Sequence, residues 1–146
     1  MSSARIQNYW INGMPAGEIA IDSGIAGDFN KPVIMVTGDD YACREAKKLL
    51  PWTVTCEVKK STALYGVMIP PMKQAYALLA EKAKEAYGKL KSMKPLVYDK
   101  PITFRVEVVE RNAVPNPYAK PYLKIIDGRT YEVTADTMEE ALFRHY

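Results

Sequence analysis

Histidine is almost missing from this chain: His145 is the only one, and Cys43 and Cys56 are the only cysteines. A Cys/His metal cluster is therefore excluded, since neither the count nor the spacing fits a zinc ribbon. A serine nucleophile would need a histidine base, and His145 stands beside the C-terminus, where chains usually fray. It is expected at the surface. No G-x-S-x-G elbow occurs, and no G-x-G-x-x-G or Walker pattern supplies a phosphate loop. Cys43 falls inside a predicted helix rather than at its N-terminus, where a thiolate would be favoured. Both cysteines are expected to be plain buried thiols.

Long apolar runs are also lacking. No stretch approaches a membrane span, and Met1-Ser2-Ser3-Ala4-Arg5 carries no apolar core behind a basic start. The sequence thus points away from the membrane and towards the cytoplasm. Charge of one sign is scarce as well, the net being +3. Lysines gather from Lys82 to Lys100, but Glu81, Glu85 and Asp99 interrupt them and no aromatic ladder accompanies them. This reads as a solvated helix face, with no nucleic-acid partner.

What is present is an ordinary globular composition, 48% apolar and 25% charged over 146 residues, enough for a single domain with a core. Arg5 to Ile11 reads as a strand, and Asn12-Gly13 is a strong tight-turn signal. Glu18 to Phe29 reads as a helix whose Gly24 and Gly27 permit close packing. Pro32 to Thr37 is a continuous apolar run, the kind that lies inside a sheet covered on both faces. Gly38-Asp39-Asp40 follows, with Asp39 or Asp40 placed to cap a helix from Tyr41 to Leu50. Thr53 to Val58 reads as the next strand, so this β-α-β unit implies parallel pairing.

Ser61 to Ile69 is ambiguous. Pro70-Pro71 opens the longest helix, which runs to about Lys89, and a polar connection follows to Lys100. Ile102 to Val109 alternates as a half-exposed strand, Arg111 to Pro121 is a Pro-rich loop, and Leu123 to Val133 reads as a hairpin turning at Asp127-Gly128. Asp136 with Glu139 forms a capping-box pattern before a last short helix. The fold class is α/β: a parallel or mixed sheet with flanking helices, then a smaller strand-hairpin-helix portion.

Carboxylates remain as carriers of chemistry. Glu18 and Asp22 share a helix face at i, i+4, and Asp28 lies further along. Glu18 also suits a purely structural role, complementing the helix dipole from the first turn. Asp39 and Asp40 read as capping residues.

The run Ile11-Asn12-Gly13-Met14-Pro15-Ala16-Gly17-Glu18, then Ala26-Gly27, then Pro32 to Asp40, resembles the C-terminal half of the DppA-type D-aminopeptidases, self-compartmentalising zinc peptidases. The likeness continues through Glu45-Ala46, Val58-Lys59, the helix after Pro70-Pro71 and the segment Asp136 to Ala141. It implies a site of two zinc ions. The ligands would come from an N-terminal Ser-x-Asp-x-Glu-Gly motif, two histidines, and a glutamate in the Gly-Glu position. Only that glutamate has a counterpart here, Glu18, which becomes the single expected metal ligand. The other ligands and the catalytic histidine are expected upstream of Met1, itself then an internal methionine used as a start. Where relatives show a Ser-Arg pair, this chain has Ala63-Leu64.

Three readings follow. The chain is the C-terminal portion of a zinc-dependent hydrolase that acts on peptides with an N-terminal D-residue, and it is inactive and zinc-free alone. Or it is a non-catalytic assembly or ligand-binding module; the family implies a homo-oligomer, and Tyr118 to Tyr122 offers a candidate contact. Or a separate polypeptide supplies the missing half. In the first and third, apolar surface is expected to be exposed around Trp10 and Ile19.

Overall fold

The computed structural model describes residues 4–145. Met1 to Ser3, on which the reading of the N-terminus rests, and Tyr146 lie outside the described residues. In chain order the elements are β1 (Ile6–Ile11), β2 (Met14–Ala16), α1 (Glu18–Asp28), β3 (Met35–Gly38), α2 (Asp40–Leu49) and β4 (Val54–Glu57). Then come β5 (Lys60–Ala63), β6 (Gly66–Met68), α3 (Met72–Gly88), β7 (Ile102–Val108), β8 (Lys124–Ile125), β9 (Thr130–Ala135) and α4 (Met138–His145). The class is mixed α/β, as expected. Two compact units divide the chain: residues up to Phe29 together with Val97 onward, and Asn30–Leu96.

The first unit is a five-stranded sheet in the order β2-β1-β7-β9-β8, with every neighbouring pair antiparallel. The strict alternation of Ile102, Phe104, Val106 and Val108 puts all four inside. Tyr9, Ile11, Tyr131, Val133 and Met138 complete that core. The other face carries paired charges: Arg105 meets Glu132 at 2.5 Å, Lys124 reaches Glu132 at 3.4 Å, and Arg129 meets Glu107 at 2.9 Å. Burial works against the ionised form of Glu132, but its hydrogen bonds from Arg105 and Lys124 outweigh it and hold the carboxyl below its ordinary range.

Strand β2 has no forerunner in the sequence reading. It holds Pro15, which a strand tolerates only at a sheet edge, and the edge is where β2 lies. Helix α1 packs through its glycines: a Cβ on Gly24 would stand 2.6 Å from Tyr98 Cε2. Tyr98 itself donates to the Ala20 carbonyl at 3.1 Å, and burial pushes its phenol up to about 12.

The last helix is capped one residue later than the sequence pattern suggested. Thr137 Oγ1 accepts from Glu140 N–H at 3.1 Å, and the Glu140 carboxylate accepts from Asp136 N–H at 3.2 Å. Thr137-x-x-Glu140 is thus the working box, because a hydroxyl cap and the longer glutamate reach both amides. Asp28 adds a third acceptor, taking Met138 N–H at 2.6 Å.

The second unit holds β3 and β4, which pair in parallel as the β-α-β reading required. Asp39 caps α2, its Oδ1 accepting Ala42 N–H at 2.8 Å. Val54, Ala86 and Met93 form one core cluster here, with Ile34, Met35 and Trp52 packed half-buried against them, and Cys43, Ala46, Leu50, Cys56 and Ala75 are buried as well. Residues 32–36 are only half-buried rather than covered on both faces, since among the described residues this parallel sheet has just two strands. Ser61 to Ile69, ambiguous in sequence, contains the antiparallel hairpin β5–β6. Cys43 and Cys56 are free and buried, and burial raises both thiols.

Candidate functional site

The mount for Glu18 is built from the turn outward. Asn12 (φ 49°) and Gly13 (φ 81°) both occupy the left-handed region that a two-residue hairpin turn demands. Asparagine suits the first position for a second reason. Its side chain donates to the Asp99 carbonyl at 2.8 Å and accepts Thr103 N–H at 2.8 Å, while its own N–H donates to the Thr103 carbonyl at 2.9 Å. The turn is thereby fastened to the start of β7. Strand β2 then returns the chain to Gly17, the extended N-cap of α1, which offers no side chain to the helix amides. Glu18 follows in the first turn, exposed, at the positive end of the helix dipole.

Asp22 is exposed one turn along the same helix. Asp28 does not join them: besides capping α4 it pairs with Lys100 at 3.6 Å. Asp39 and Asp40 are likewise occupied structurally. The Ala42 amide and then Ser61 Oγ, which donates to Asp39 at 2.9 Å, draw the Asp39 carboxyl below its usual range. Asp40 accepts Ser61 N–H at 3.0 Å and pairs with Arg44 at 2.9 Å.

The expectation for His145 is corrected. It is 6% exposed and sits in an aromatic box. Its ring stacks on Tyr131 (26°, 5.8 Å) and meets Tyr9 (82°, 5.6 Å) and Phe104 (81°, 5.8 Å) edge-on. Nδ1 bonds the Tyr131 hydroxyl, and Nε2 lies 3.3 Å from the Tyr9 hydroxyl. Burial, aided by the charge of Lys120, lowers its pKa to about 4, so the ring is neutral at pH 7. Position at the end of the chain gave no sign of this, because strands β1, β7 and β9 make the box.

Among the described residues, no three of His, Cys, Asp and Glu are placed to hold a metal ion together. Glu18 is a single carboxylate on its hairpin-helix mount, and among the described residues no donor set fits a zinc site. The apolar exposure also differs from expectation. Trp10 and Ile19 are half-buried, whereas Leu64 and Tyr65 in the β5–β6 turn are 88% and 95% exposed. Tyr118, in the loop proposed as a contact, is 96% exposed.

The family model described as D-aminopeptidase matches residues 1–144. This chain belongs to the D-aminopeptidase family. A D-aminopeptidase from Bacillus subtilis (strain 168) is 35% identical over 98 residues, which are 66% of this chain and 36% of that protein. The solved Zn-dependent D-aminopeptidase DppA from Bacillus subtilis, a self-compartmentalizing protease, matches with a TM-score of 0.90 at 28% identity. That match covers 96% of this chain and 52% of DppA. The chain thus spans about half the length of DppA, and less of the curated relative.

As a D-aminopeptidase family member, the chain shares its fold with a zinc-dependent enzyme.

Proposed function

We propose that this chain is the C-terminal portion of a D-aminopeptidase-type peptide hydrolase, and that Glu18 is its one contribution to a zinc site completed by residues outside the described chain. The observation that carries this reading is the exposed Glu18 on its fixed hairpin-helix mount, in a fold that matches DppA over 96% of its length. The substrate class under this reading is a peptide with an N-terminal D-residue, and the setting is cytoplasmic, in keeping with two free thiols. The isolated chain neither retains zinc nor hydrolyses peptides, because one carboxylate is too few donors to bind the ion.

The test is an assay of the purified chain with D-alanyl peptides, with and without zinc, beside calorimetric zinc titration. No released D-amino acid and no stoichiometric binding are expected. Zinc-dependent release of a D-amino acid by the chain alone would overturn the reading. Under the split-enzyme form, activity returns on mixing with a polypeptide bearing the other ligands, and Glu18→Gln abolishes that recovery.

The second reading, assembly, is favoured by a specific observation: the second unit displays large apolar side chains on a hairpin held rigid at its base. Under it the chain associates with copies of itself, as suits a relative described as self-compartmentalizing.

A further inference from the structure

We propose that the β5–β6 hairpin is the contact through which copies of this chain associate, the tip of one copy seated in the groove at the hairpin base of the next. The proposal rests on the assembly reading above and names its surface.

The hairpin is unusual in what it leaves uncovered. No charged residue occurs between Lys60 and Lys73. Within that segment Leu64, Tyr65, Val67, Met68, Ile69 and Met72 are all exposed. Surfaces that stay in water normally intersperse charge, and depletion of charge marks the centre of an interface instead. These side chains present on the order of 800 Å² of surface, about what one partner contributes to a standard-size interface. Strand β6 also forms an edge without a guarding lysine or glutamate, which natural proteins seldom leave open.

The arm is preformed. Ser61, at its base, is held through its hydroxyl by Asp39 and through its N–H by Asp40. Both aspartates sit at the start of α2, so the hairpin is fixed to the helix of its own unit. A rigid arm loses little conformational entropy on binding, and Tyr65 at the tip is of the type that anchors interfaces.

The receptor is on the same chain. A groove of about 480 Å³ lies at the base of the hairpin, lined by Val58, Met68, Ile69 and Pro70 together with Glu57, Lys59 and Lys60. Its apolar floor suits Leu64 and the Tyr65 ring, and its charged rim suits the Tyr65 hydroxyl. The tip cannot enter its own groove. The two end residues of β6 lie roughly 7 Å apart along the strand, and folding back would break the β5–β6 pairing. Because tip and groove are both present on every copy, a second copy is a sufficient partner.

The experiment is sedimentation velocity of the full chain over a range of concentrations, with two variants at exposed positions. Tyr65→Asp breaks the tip and leaves the groove; Met68→Asp breaks the groove and leaves the tip. Wild type is expected to self-associate, and each variant to do so about 30-fold more weakly. Mixing the two variants is expected to restore a limited 1:1 pair, because one intact tip meets one intact groove. Circular dichroism of each variant should match wild type, and the restored pair independently shows that both are folded. A strictly monomeric wild type would overturn both this contact and the assembly reading. Self-association undiminished in both variants, or no pair on mixing, would overturn the contact and leave assembly standing. Association seen only with a different polypeptide would overturn the second copy as the occupant.

Discussion

The two units differ in how well they cover their apolar residues. The first closes a five-stranded sheet over Phe104, Val106, Tyr131, Val133 and Met138, and keeps its charges paired on the opposite face. The second buries Leu50, Val54 and Cys56, but its strand β3 is half-buried, its long helix buries only Ala75 and Ala86, and its hairpin carries bare apolar side chains. Parallel strands are normally buried on both faces. The second unit leaves β3 half-covered, whereas the central strand β7 of the first alternates cleanly between a buried and a half-buried face.

The largest test of this contrast is Phe104→Ala. Removing a fully buried ring should cost about 3–5 kcal/mol. Site-resolved hydrogen exchange should show β7 and β9 losing protection while β4 keeps its own. Equal loss in both units would break the comparison, making them one cooperative body.

Next is pH. His145 is neutral in the folded state with a pKa of about 4, against 6.5 for an ordinary histidine. Its contribution is therefore complete above pH 6.5 and is lost as pH falls from there towards 4, because the unfolded chain binds the proton first. The loss amounts to about 3 kcal/mol across that window. The groups facing the ring are Tyr9, Tyr131 and the charge of Lys120. Urea unfolding followed through first-unit amides should show the dependence, and His145→Asn should flatten it. The second unit has no histidine and should show none of it.

A smaller effect is expected from Met93→Ala, about 2 kcal/mol, confined to the second unit. If the second unit is completed by self-association, its overall stability should rise at concentrations where the chain assembles, for wild type and variant alike. The smallest is Thr137→Ala, which removes the α4 cap and should cost about 1 kcal/mol, read as fraying of that helix alone.

Local patterns in the sequence were reliable guides here. The alternation from Ile102 to Val108, the Asp39 cap and the Pro-opened helix all appear in the structure, since each depends on near neighbours. What depended on distant segments was hidden. The pairing of β1 with β7 joins residues that no local period connects. His145 looked terminal and was therefore placed at the surface, but three strands from elsewhere enclose it. The capping box was misplaced by one residue because Asp136 and Thr137 both make plausible caps, and only geometry chose between them. For the candidate site, the mount that carries Glu18 was legible from Asn12-Gly13 and Gly17. The bare hairpin was not, because Ser61 to Ile69 has no clear period, and exposure is a property of the assembled fold.

The first unit is made from both ends of the described chain, with the second running between them. On the ribosome this fixes an order of events. Strand β1 emerges early, but its partner β7 follows about 90 residues later, a wait of roughly 5–20 s at ordinary translation speed. During that interval Tyr9 and Ile11 have no sheet to enter, while Asn30–Leu96 is already complete and free to fold. The better-buried unit is thus the last to close, and the nascent chain depends on β1 staying soluble until β7 arrives.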